Sequence, residues 1–316
     1  MPYSRVLQAD QAMRPARMPR RRTRPRIGAD RVALNLIAYV VVGGIAVATF
    51  LPFLILLINS FASEHFIINH GYSFFPNELS LSAYELVFTN PQRILRAYEI
   101  TLFITVFGTA GSLFLSAMAA YAMSRKDLRY RNAIAFFVYF TTLFNGGLAP
   151  TFIIITRTLH LQNTIGVLLL GPMFNVLYLI ILRNFFMNSI PASLSESAKI
   201  DGAGDFTIFV RIVLPLTTSA LASIGLFTAL AYWNDWWTAM LYIERSDLYP
   251  LQYVLYRILS SATMAANIVN NVATLNLPKE TLKLAMTVIS IGPIFLAYGF
   301  VQRFFIKGIT IGAIKG

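Results

Sequence analysis

Residues 196–215 read Glu-Ser-Ala-Lys-Ile-Asp-Gly-Ala-Gly-Asp-Phe-Thr-Ile-Phe-Val-Arg-Ile-Val-Leu-Pro and form a polar, glycine-containing segment between two long apolar runs. The surrounding 316-residue chain is apolar, with 56% hydrophobic and only 13% charged residues. Apolar runs of about 20 residues, the length of a helix that crosses a hydrocarbon core about 30 Å thick, recur along it. This pattern predicts an all-α polytopic membrane protein in which the polar segment lies outside the membrane.

We predict six transmembrane helices, and the distribution of charge predicts their orientation. The expected transmembrane domain covers residues 32–316, with spans at about 32–58, 97–123, 132–156, 164–184, 215–241 and 284–305 and a loop at 191–214. If the amino terminus is cytoplasmic, 19 of the 26 lysines and arginines fall in cytoplasmic segments. Because positive charges are retained on the cytoplasmic side, both termini and the loop between spans four and five are predicted to be cytoplasmic.

The first 31 residues contain nine arginines and two aspartates. They are too polar and too rich in proline to pack, so we expect a disordered cytoplasmic arm over residues 1–31. Such an arm can bind nucleic acid, but its place just before a membrane span favours contact with anionic lipid. We therefore expect membrane lipid, and no nucleic acid, among its partners.

The types of residue present argue against chemistry within this chain. Without cysteine, neither a disulfide nor a thiolate metal site can form. The three histidines lie in or near predicted loops, and no catalytic set is clustered, so we expect no metal site and no catalytic residue. No glycine is followed by lysine, which excludes the phosphate-binding loop of ATPases. Any ATP-driven work must be done by another chain.

The polar segment has the residues that begin and end short helices. Ser193 and Glu196 have the spacing of a capping box at a helix start. Gly202 suits the left-handed backbone at a helix end. Asp205 can cap a second short helix, which Pro215 ends before span five. The segment is therefore predicted to fold as two short helices joined by a glycine turn at the cytoplasmic membrane surface.

The spacing of six residues in this segment resembles a known signature. It is similar to the cytoplasmic loop of binding-protein-dependent ABC importer permeases, which reads Glu-Ala-Ala, three residues, Gly, nine residues, Ile-x-Leu-Pro. The matching residues are Glu196, Ala198, Gly202, Ile212, Leu214 and Pro215. Ser197 stands where the family has its first alanine. Residues 307–316, 146–150 and 248–252 resemble the carbohydrate branch of the same superfamily, in particular the members that import oligosaccharides released from polysaccharides.

The resemblance implies a multi-pass permease subunit in the bacterial cytoplasmic (inner) membrane. In the family the polar loop is the coupling helix, which sits in a cleft of the ATP-binding subunit. The positions carried over to that contact are Glu196, Ser197, Ala198, Asp201, Gly202 and Ala203. The implied partners are an ABC ATPase dimer that binds ATP and Mg²⁺, a second homologous permease that forms a heterodimer, and an extracytoplasmic solute-binding protein. This chain itself is expected to hold no cofactor and to be no enzyme.

Two groups of residues are candidates for the substrate path. The first, Asn145, Gly146 and Gly147, interrupts span three, where a broken helix either lines a wet cavity or allows close helix packing. The second contains aromatic and polar side chains suited to sugar rings and hydroxyls, but also typical of the interfacial aromatic belt. Its members are Tyr232, Trp233, Asn234, Asp235 and Trp236, followed by Trp237. For both groups the two interpretations stay open.

The function expected from the resemblance is ATP-driven import of oligosaccharides by alternating access. Acidic fragments, such as those of alginate or pectin, fit the sequence as well as neutral ones. The alternative is an ion-coupled secondary transporter or a channel, which would place carboxylates within the membrane. The middles of the predicted spans contain almost none. A membrane enzyme is a weaker third hypothesis, because it would need a clustered catalytic set.

Overall fold

A computed structural model describes residues 29–144, 146–269 and 278–313. These residues are mostly helical, and the only β pairing among them is an isolated bridge between Ala62 and Leu79. The helices are α1 (Ala29–Asn59), α2 (Glu64–His70), α3 (Ser82–Val87), α4 (Pro91–Ser124), α5 (Arg131–Phe140), α6 (Leu148–Thr158), α7 (Ile165–Leu170), α8 (Val176–Ser189), α9 (Ala192–Ile200), α10 (Asp205–Leu216), α11 (Thr218–Trp233), α12 (Trp237–Tyr242), α13 (Leu251–Val269) and α14 (Lys279–Ala313). Residues 1–28 of the predicted basic arm lie outside the described residues.

Short polar side chains explain where several helices begin. Asn90 accepts a hydrogen bond from the N–H of Arg93 at 3.3 Å at the start of α4, and Pro91 occupies the first turn. Ser63 accepts from the N–H of Phe66 at 3.0 Å at the start of α2. Both side chains satisfy amides that have no partner within the helix.

Three of the six predicted spans are not uninterrupted helices. Predicted span three divides into α5 and α6, and predicted span four divides into α7 and α8. Predicted span five starts with a bend of 82° between α10 and α11, and α11 then ends at Trp233 rather than continuing towards residue 241. In each case the chain leaves the helix within the predicted apolar run.

Four helical segments of the described chain have the length and composition of a membrane span. Two are single helices, Ala33–Asn59 and Pro91–Ser124. The other two are bent pairs, α8 with α9 at 75° and α10 with α11 at 82°, if each pair counts as one span. The arrangement with six transmembrane spans and the cytoplasmic location of both termini remain predictions.

The chain divides into two compact units, Met1–Phe53 and Leu54–Gly316. In the second unit, α4 packs against α8 and α11, and α11 also packs against α14. One buried cluster surrounds Tyr232 and includes residues of α4, α7, α12, α13 and α14. Another surrounds Phe209 and joins α4, α8 and α11 to the polar segment. The polar segment is therefore built into the helical bundle through its own apolar residues.

Candidate coupling site and substrate path

The signature helix α9 begins earlier than the capping box predicts. Pro191 occupies its N-cap with φ −61° and ψ 133°, and no side chain caps the first turn. The predicted capping box of Ser193 and Glu196 is therefore wrong. The fixed φ of proline suits the extended residue before a helix, so the chain enters the helix directly at Ala192. Glu196 consequently lies inside α9, with its side chain exposed.

The turn after α9 has the geometry expected of a glycine at position 202. Gly202 has φ +82°. Its N–H donates to the carbonyl of Lys199 at 3.0 Å, and the N–H of Ala203 donates to the carbonyl of Ala198 at 2.9 Å. These two bonds form a Schellman motif, which satisfies carbonyls at the helix end. The prediction that the helix stops at Gly202 is confirmed, and this turn fixes the direction in which the chain leaves α9.

α9 has one face towards the bundle and one towards solvent. Ala198 and Ala203 pack against the buried cluster around Phe209. Glu196 and Ile200, one turn apart, lie on the outer face, where Ile200 is 87% exposed. The other exposed residues of the predicted contact are Ser197, Asp201 and Gly202. The sequence-predicted contact residues therefore separate into an outer group and an inner pair, Ala198 and Ala203, that anchors the helix.

α10 is held to the bundle by buried apolar side chains. Ile208 and Val213 are fully buried, and Phe209 is 2% exposed. The ring of Phe209 stacks on that of Tyr121 in α4, with 5.4 Å between the centroids. Burial of a phenylalanine of this size contributes roughly 1.5–3 kcal/mol. This packing makes α10 a stiff extension of the bundle rather than a loose loop.

Four charged side chains tie α9 and α10 to the turn that follows α4. We call Arg125, Asp127, Lys199 and Asp205 the ionic cluster. Arg125 pairs with Asp127, and its Nη1 lies 2.5 Å from Oδ1 of Asp205. The Nζ of Lys199 lies 3.2 Å from Oδ2 of Asp127 and 3.6 Å from Oδ1 of Asp205. The predicted capping role of Asp205 is wrong, because Gly204 is the N-cap and Asp205 is already helical.

The ionic cluster keeps its carboxylates charged at neutral pH. The hydrogen bond from Arg125, reinforced by its charge and by Lys199, lowers the pKa of Asp205 below its usual value. Hydrogen bonds from Arg125 and Lys199 lower the pKa of Asp127 in the same way. Because these carboxylates are more than half exposed, each pair contributes at most about 1 kcal/mol. The cluster therefore orients α9 and α10 more than it stabilises the fold.

The junction of α10 and α11 can pass movement into the bundle. Pro215 removes one backbone donor from the last turn of α10. The buried hydroxyl of Thr217 donates to the carbonyl of Val213 at 2.8 Å and fixes the corner. Beyond the corner, α11 packs on α4 and α14. α9 is therefore connected to α11 through a short path that is closed by hydrogen bonds.

The first group of candidate path residues lies at the break between α5 and α6. Asn145 lies outside the described residues. Gly146 and Gly147 are exposed, and Gly147 has φ +88° at the N-cap of α6. The backbone is therefore unwound where the sequence predicts an interruption, and it is accessible there.

Two residues of the second group are buried within the chain. Tyr232 is 1% exposed and its hydroxyl donates to the carbonyl of Leu169 at 2.6 Å. Trp233 is 6% exposed and its Nε1 donates to the carbonyl of Ser290 at 3.1 Å. In α4, the position of a Cβ on Gly108 would be 2.5 Å from Cζ of Tyr232, so the ring fills the space above that glycine. In this conformation both rings are packing residues.

The remaining three residues of the second group are accessible at the break between α11 and α12. Asn234 is exposed, and Asp235 and Trp236 are half-buried. Asp235 accepts a hydrogen bond from the N–H of Thr238 at 3.0 Å, which supports the start of α12. The ring of Trp236 stacks on Tyr256, with 4.5 Å between the centroids. These side chains form an aromatic and polar surface suited to a sugar.

The family comparison concerns the same part of the chain. The model of the family described as "Binding-protein-dependent transport system inner membrane component" matches residues 112–311. That range includes the signature, the ionic cluster, the Gly202 turn and the corner at Thr217. The chain belongs to this family. It is a permease component of an inner-membrane transport system.

Curated relatives and a solved structure resemble this permease over most of its length. The "Polygalacturonan/rhamnogalacturonan transport system permease protein YtcP" of Bacillus subtilis (strain 168) is 41% identical over 267 residues, covering 84% of this chain and 92% of YtcP. Protein LplC of the same organism is 38% identical over 274 residues, covering 87% and 92%. One chain in a crystal structure of a bacterial ABC transporter involved in the import of the acidic polysaccharide alginate has 30% sequence identity and a TM-score of 0.71. The match covers 88% of this permease and 98% of that chain.

Sequence reasoning misses the ionic cluster of this permease. The sequence predicts only a helix-capping role for Asp205 and no individual role for Arg125. A signal is present, because Asp127 interrupts a run of basic residues and Lys199 lies within the signature. Only the tertiary structure brings these two segments together.

Proposed function

We propose that this permease is one transmembrane subunit of an ATP-driven importer of oligosaccharides in the bacterial inner membrane. It would cross the membrane six times, have both termini in the cytoplasm, and work by alternating access. The observation that carries the proposal is the exposed face of α9, held by the Gly202 turn and the ionic cluster on a stiff bundle. A helix exposed in this way is suited to contact a partner protein and to be displaced by it.

The partner on the cytoplasmic side would be an ABC ATPase dimer that binds ATP and Mg²⁺. Glu196 and Ile200 offer it a charge and an apolar side chain on one helix face. Closure of the dimer on ATP would move α9, and the corner at Thr217 would pass the movement to α11. A second, homologous permease would complete the pore as a heterodimer.

The cargo would be an oligosaccharide delivered by an extracytoplasmic solute-binding protein. A relative named for polygalacturonan and rhamnogalacturonan, and a transporter involved in the import of the acidic polysaccharide alginate, support a polysaccharide fragment as cargo, including an acidic one. Gly146, Gly147, Asn234, Asp235 and Trp236 are the accessible candidates for the path. Tyr232 and Trp233 would support this surface from behind, or join it in another conformation.

The rival, an ion-coupled transporter or channel, finds less support. Coupling to an ion usually needs carboxylates within the membrane. Among the described residues, the buried polar side chains are all Asn, Ser or Thr, and none is Asp or Glu.

Charge reversal of Glu196 tests the proposal. The variant Glu196→Lys puts a cation on the outer face of α9 and is expected to abolish co-purification of the ATPase and ATP-dependent import. Membrane insertion should be normal, because the side chain is exposed and makes no ion pair among the described residues. The matched control, Glu85→Lys in α3, reverses an exposed charge away from α9 and should behave as wild type. Normal import by Glu196→Lys would refute the assignment of α9 as the coupling helix.

A further inference from the structure

Two arginines converge on one tyrosine at the end of α4 opposite the ionic cluster. The guanidinium carbon of Arg93 lies 6.0 Å from the ring centroid of Tyr249, and that of Arg257 lies 5.2 Å from the same centroid. Nη1 of Arg257 donates to the Tyr249 hydroxyl at 2.7 Å. Tyr249 is itself buried, and its hydroxyl donates to the carbonyl of Glu244 at 2.8 Å. The ring is therefore a fixed platform that brings two cations together.

Neither cation is neutralised within the described part of the chain. Arg93 and Arg257 take part in no ion pair there, and Nε of Arg93 is buried without a hydrogen-bond partner. Two carboxylates that are close in sequence to Arg93 and to Tyr249 pair with other arginines. Asp247 pairs with Arg245 at 2.7 Å, and Glu99 pairs with Arg96 at 2.8 Å. Two like charges placed close together repel each other, and an anion between them would relieve this repulsion.

The two arginines line an open pocket of about 400 Å³. Its lining residues are Leu86, Thr89, Arg93, Arg257, Ile258, Ser261 and Ala262. The hydroxyl of Thr89 already donates to backbone carbonyls, so its lone pairs are left to accept. Cations, hydroxyls and small apolar side chains in one pocket suit a ligand that has a carboxylate, hydroxyls and C–H faces. A sugar acid has all three.

We infer that this pocket binds the carboxylate of a uronate unit in an acidic oligosaccharide, an assignment that rests on the proposed import function and topology. In that topology the amino-terminal end of α4 faces the extracytoplasmic side, where cargo arrives. The planar forks of Arg93 and Arg257 match a carboxylate through paired, charge-assisted hydrogen bonds. In the same pocket, the hydroxyl of Thr89 can accept a hydrogen bond from a ring hydroxyl, and that of Ser261 can donate or accept one. The pocket thus gives the permease its own preference for acidic cargo, apart from that of the delivering protein.

The test compares an acidic cargo with its neutral derivative in the complete importer. The probes are oligogalacturonate and the same oligomer with its carboxyls methyl-esterified, each supplied with the solute-binding protein to proteoliposomes. We expect the double variant Arg93→Gln/Arg257→Gln to need an at least about tenfold higher concentration of acidic cargo for half-maximal import, because the loss of each charge-assisted hydrogen bond lowers the affinity strongly. Import of the ester should not change. Arg157→Gln, which removes an exposed cation outside the pocket, is the matched control and should leave both cargoes unaffected.

The outcomes separate the inference from the proposed function. Unchanged selectivity in the double variant, with intact ATP-driven import, would overturn the pocket assignment alone. An equal loss for acid and ester, with weaker binding of the unloaded solute-binding protein, would also overturn it, because the arginines would then serve docking of that protein. If the double variant fails to insert, Arg93→Lys/Arg257→Lys retains the charge without the fork and should show a partial loss for the acid only. Absence of ATP-driven import by the wild type would refute the proposed function instead.

Discussion

Substitution of Gly202 by alanine isolates the contribution of the turn after α9. Gly202 has φ +82°, and a Cβ placed there would meet no atom within 4 Å. The cost of Gly202→Ala is therefore conformational and not steric. A left-handed conformation costs an L-residue roughly 1–2 kcal/mol, which corresponds to a roughly 5- to 30-fold loss in the population of the turn. The Schellman bonds of Gly202 and Ala203 would be lost with it.

Gly204→Ala is the matched control for this variant. Gly204 lies two positions away, a methyl group added to it would also have no atom within 4 Å, and its φ is an ordinary −71°. Both variants add one methyl group to the same exposed loop. We expect Gly202→Ala to lower import and ATPase stimulation by the solute-binding protein several-fold, and Gly204→Ala to have little effect. Gly202→Asn should be intermediate, because asparagine tolerates positive φ.

These variants are measured by ATP-dependent uptake in proteoliposomes, with equal amounts of inserted permease. Equal activity of the two alanine variants would show that the left-handed turn has no part in coupling. A larger loss in Gly204→Ala than in Gly202→Ala would contradict the reasoning outright.

Three further predictions concern packing, helix capping and pH. Gly108→Ala places a methyl group 2.5 Å from Cζ of Tyr232 and should destabilise the bundle by about 1–3 kcal/mol. The control Gly111→Ala, whose methyl group would have its nearest atom at 3.8 Å, should be tolerated. Equal thermal-unfolding midpoints for the two variants would contradict the packing of Tyr232 on Gly108. The carboxylate of Glu64 accepts three hydrogen bonds at the start of α14, at 2.8, 2.9 and 2.8 Å. Glu64→Gln replaces it with an uncharged amide and should lower the free energy of unfolding by about 1 kcal/mol, measured as a lower thermal midpoint. The pKa of Asp205 is lowered in the fold, so the stabilisation by the ionic cluster is present above the carboxyl's unfolded pKa of about 4 and is lost only as the pH falls through the lower folded value. We therefore expect α9 to stay protected from proteases between about pH 5 and 8. Loss of protection within that range would refute the role of Asp205 in holding α9.

The sequence predicts the local features of the coupling segment but not their attachments. Glycine adopts the left-handed backbone of a helix end without the steric cost that other residues incur, so the stop at Gly202 follows from the chain alone. The helix start does not, because Pro191 imposes the extended entry that Ser193 was expected to provide. Asp205 is a residue type that often caps a helix, yet its carboxylate pairs with Arg125 from another segment. Spacing along one segment cannot reveal such a partner.

The long apolar helices show the same division between local and tertiary information. Composition predicts helix in spans three to five, and the glycines at 146 and 147 predict one break. Composition does not predict that α11 ends at Trp233. The break at Asn234 depends on the packing of Trp233 and on the hydrogen bond between Asp235 and the N–H of Thr238 at the start of α12. The burial of Tyr232 is likewise invisible in the sequence, since it needs the glycine of a distant helix beneath the ring.

The contact between α9 and an ATPase is the central claim, and cysteine cross-linking tests it most directly. The chain contains no cysteine, so single substitutions provide unique attachment points. Ile200→Cys, at a position 87% exposed, and Phe75→Cys, at a position 86% exposed, would each be labelled with a short reagent that is thiol-reactive at one end and photoreactive at the other, in membranes that contain the whole complex. We predict an adduct with the ATPase from position 200 that changes in yield when ATP is added, and none from position 75. No ATPase adduct from position 200, or one from position 75, would contradict the account.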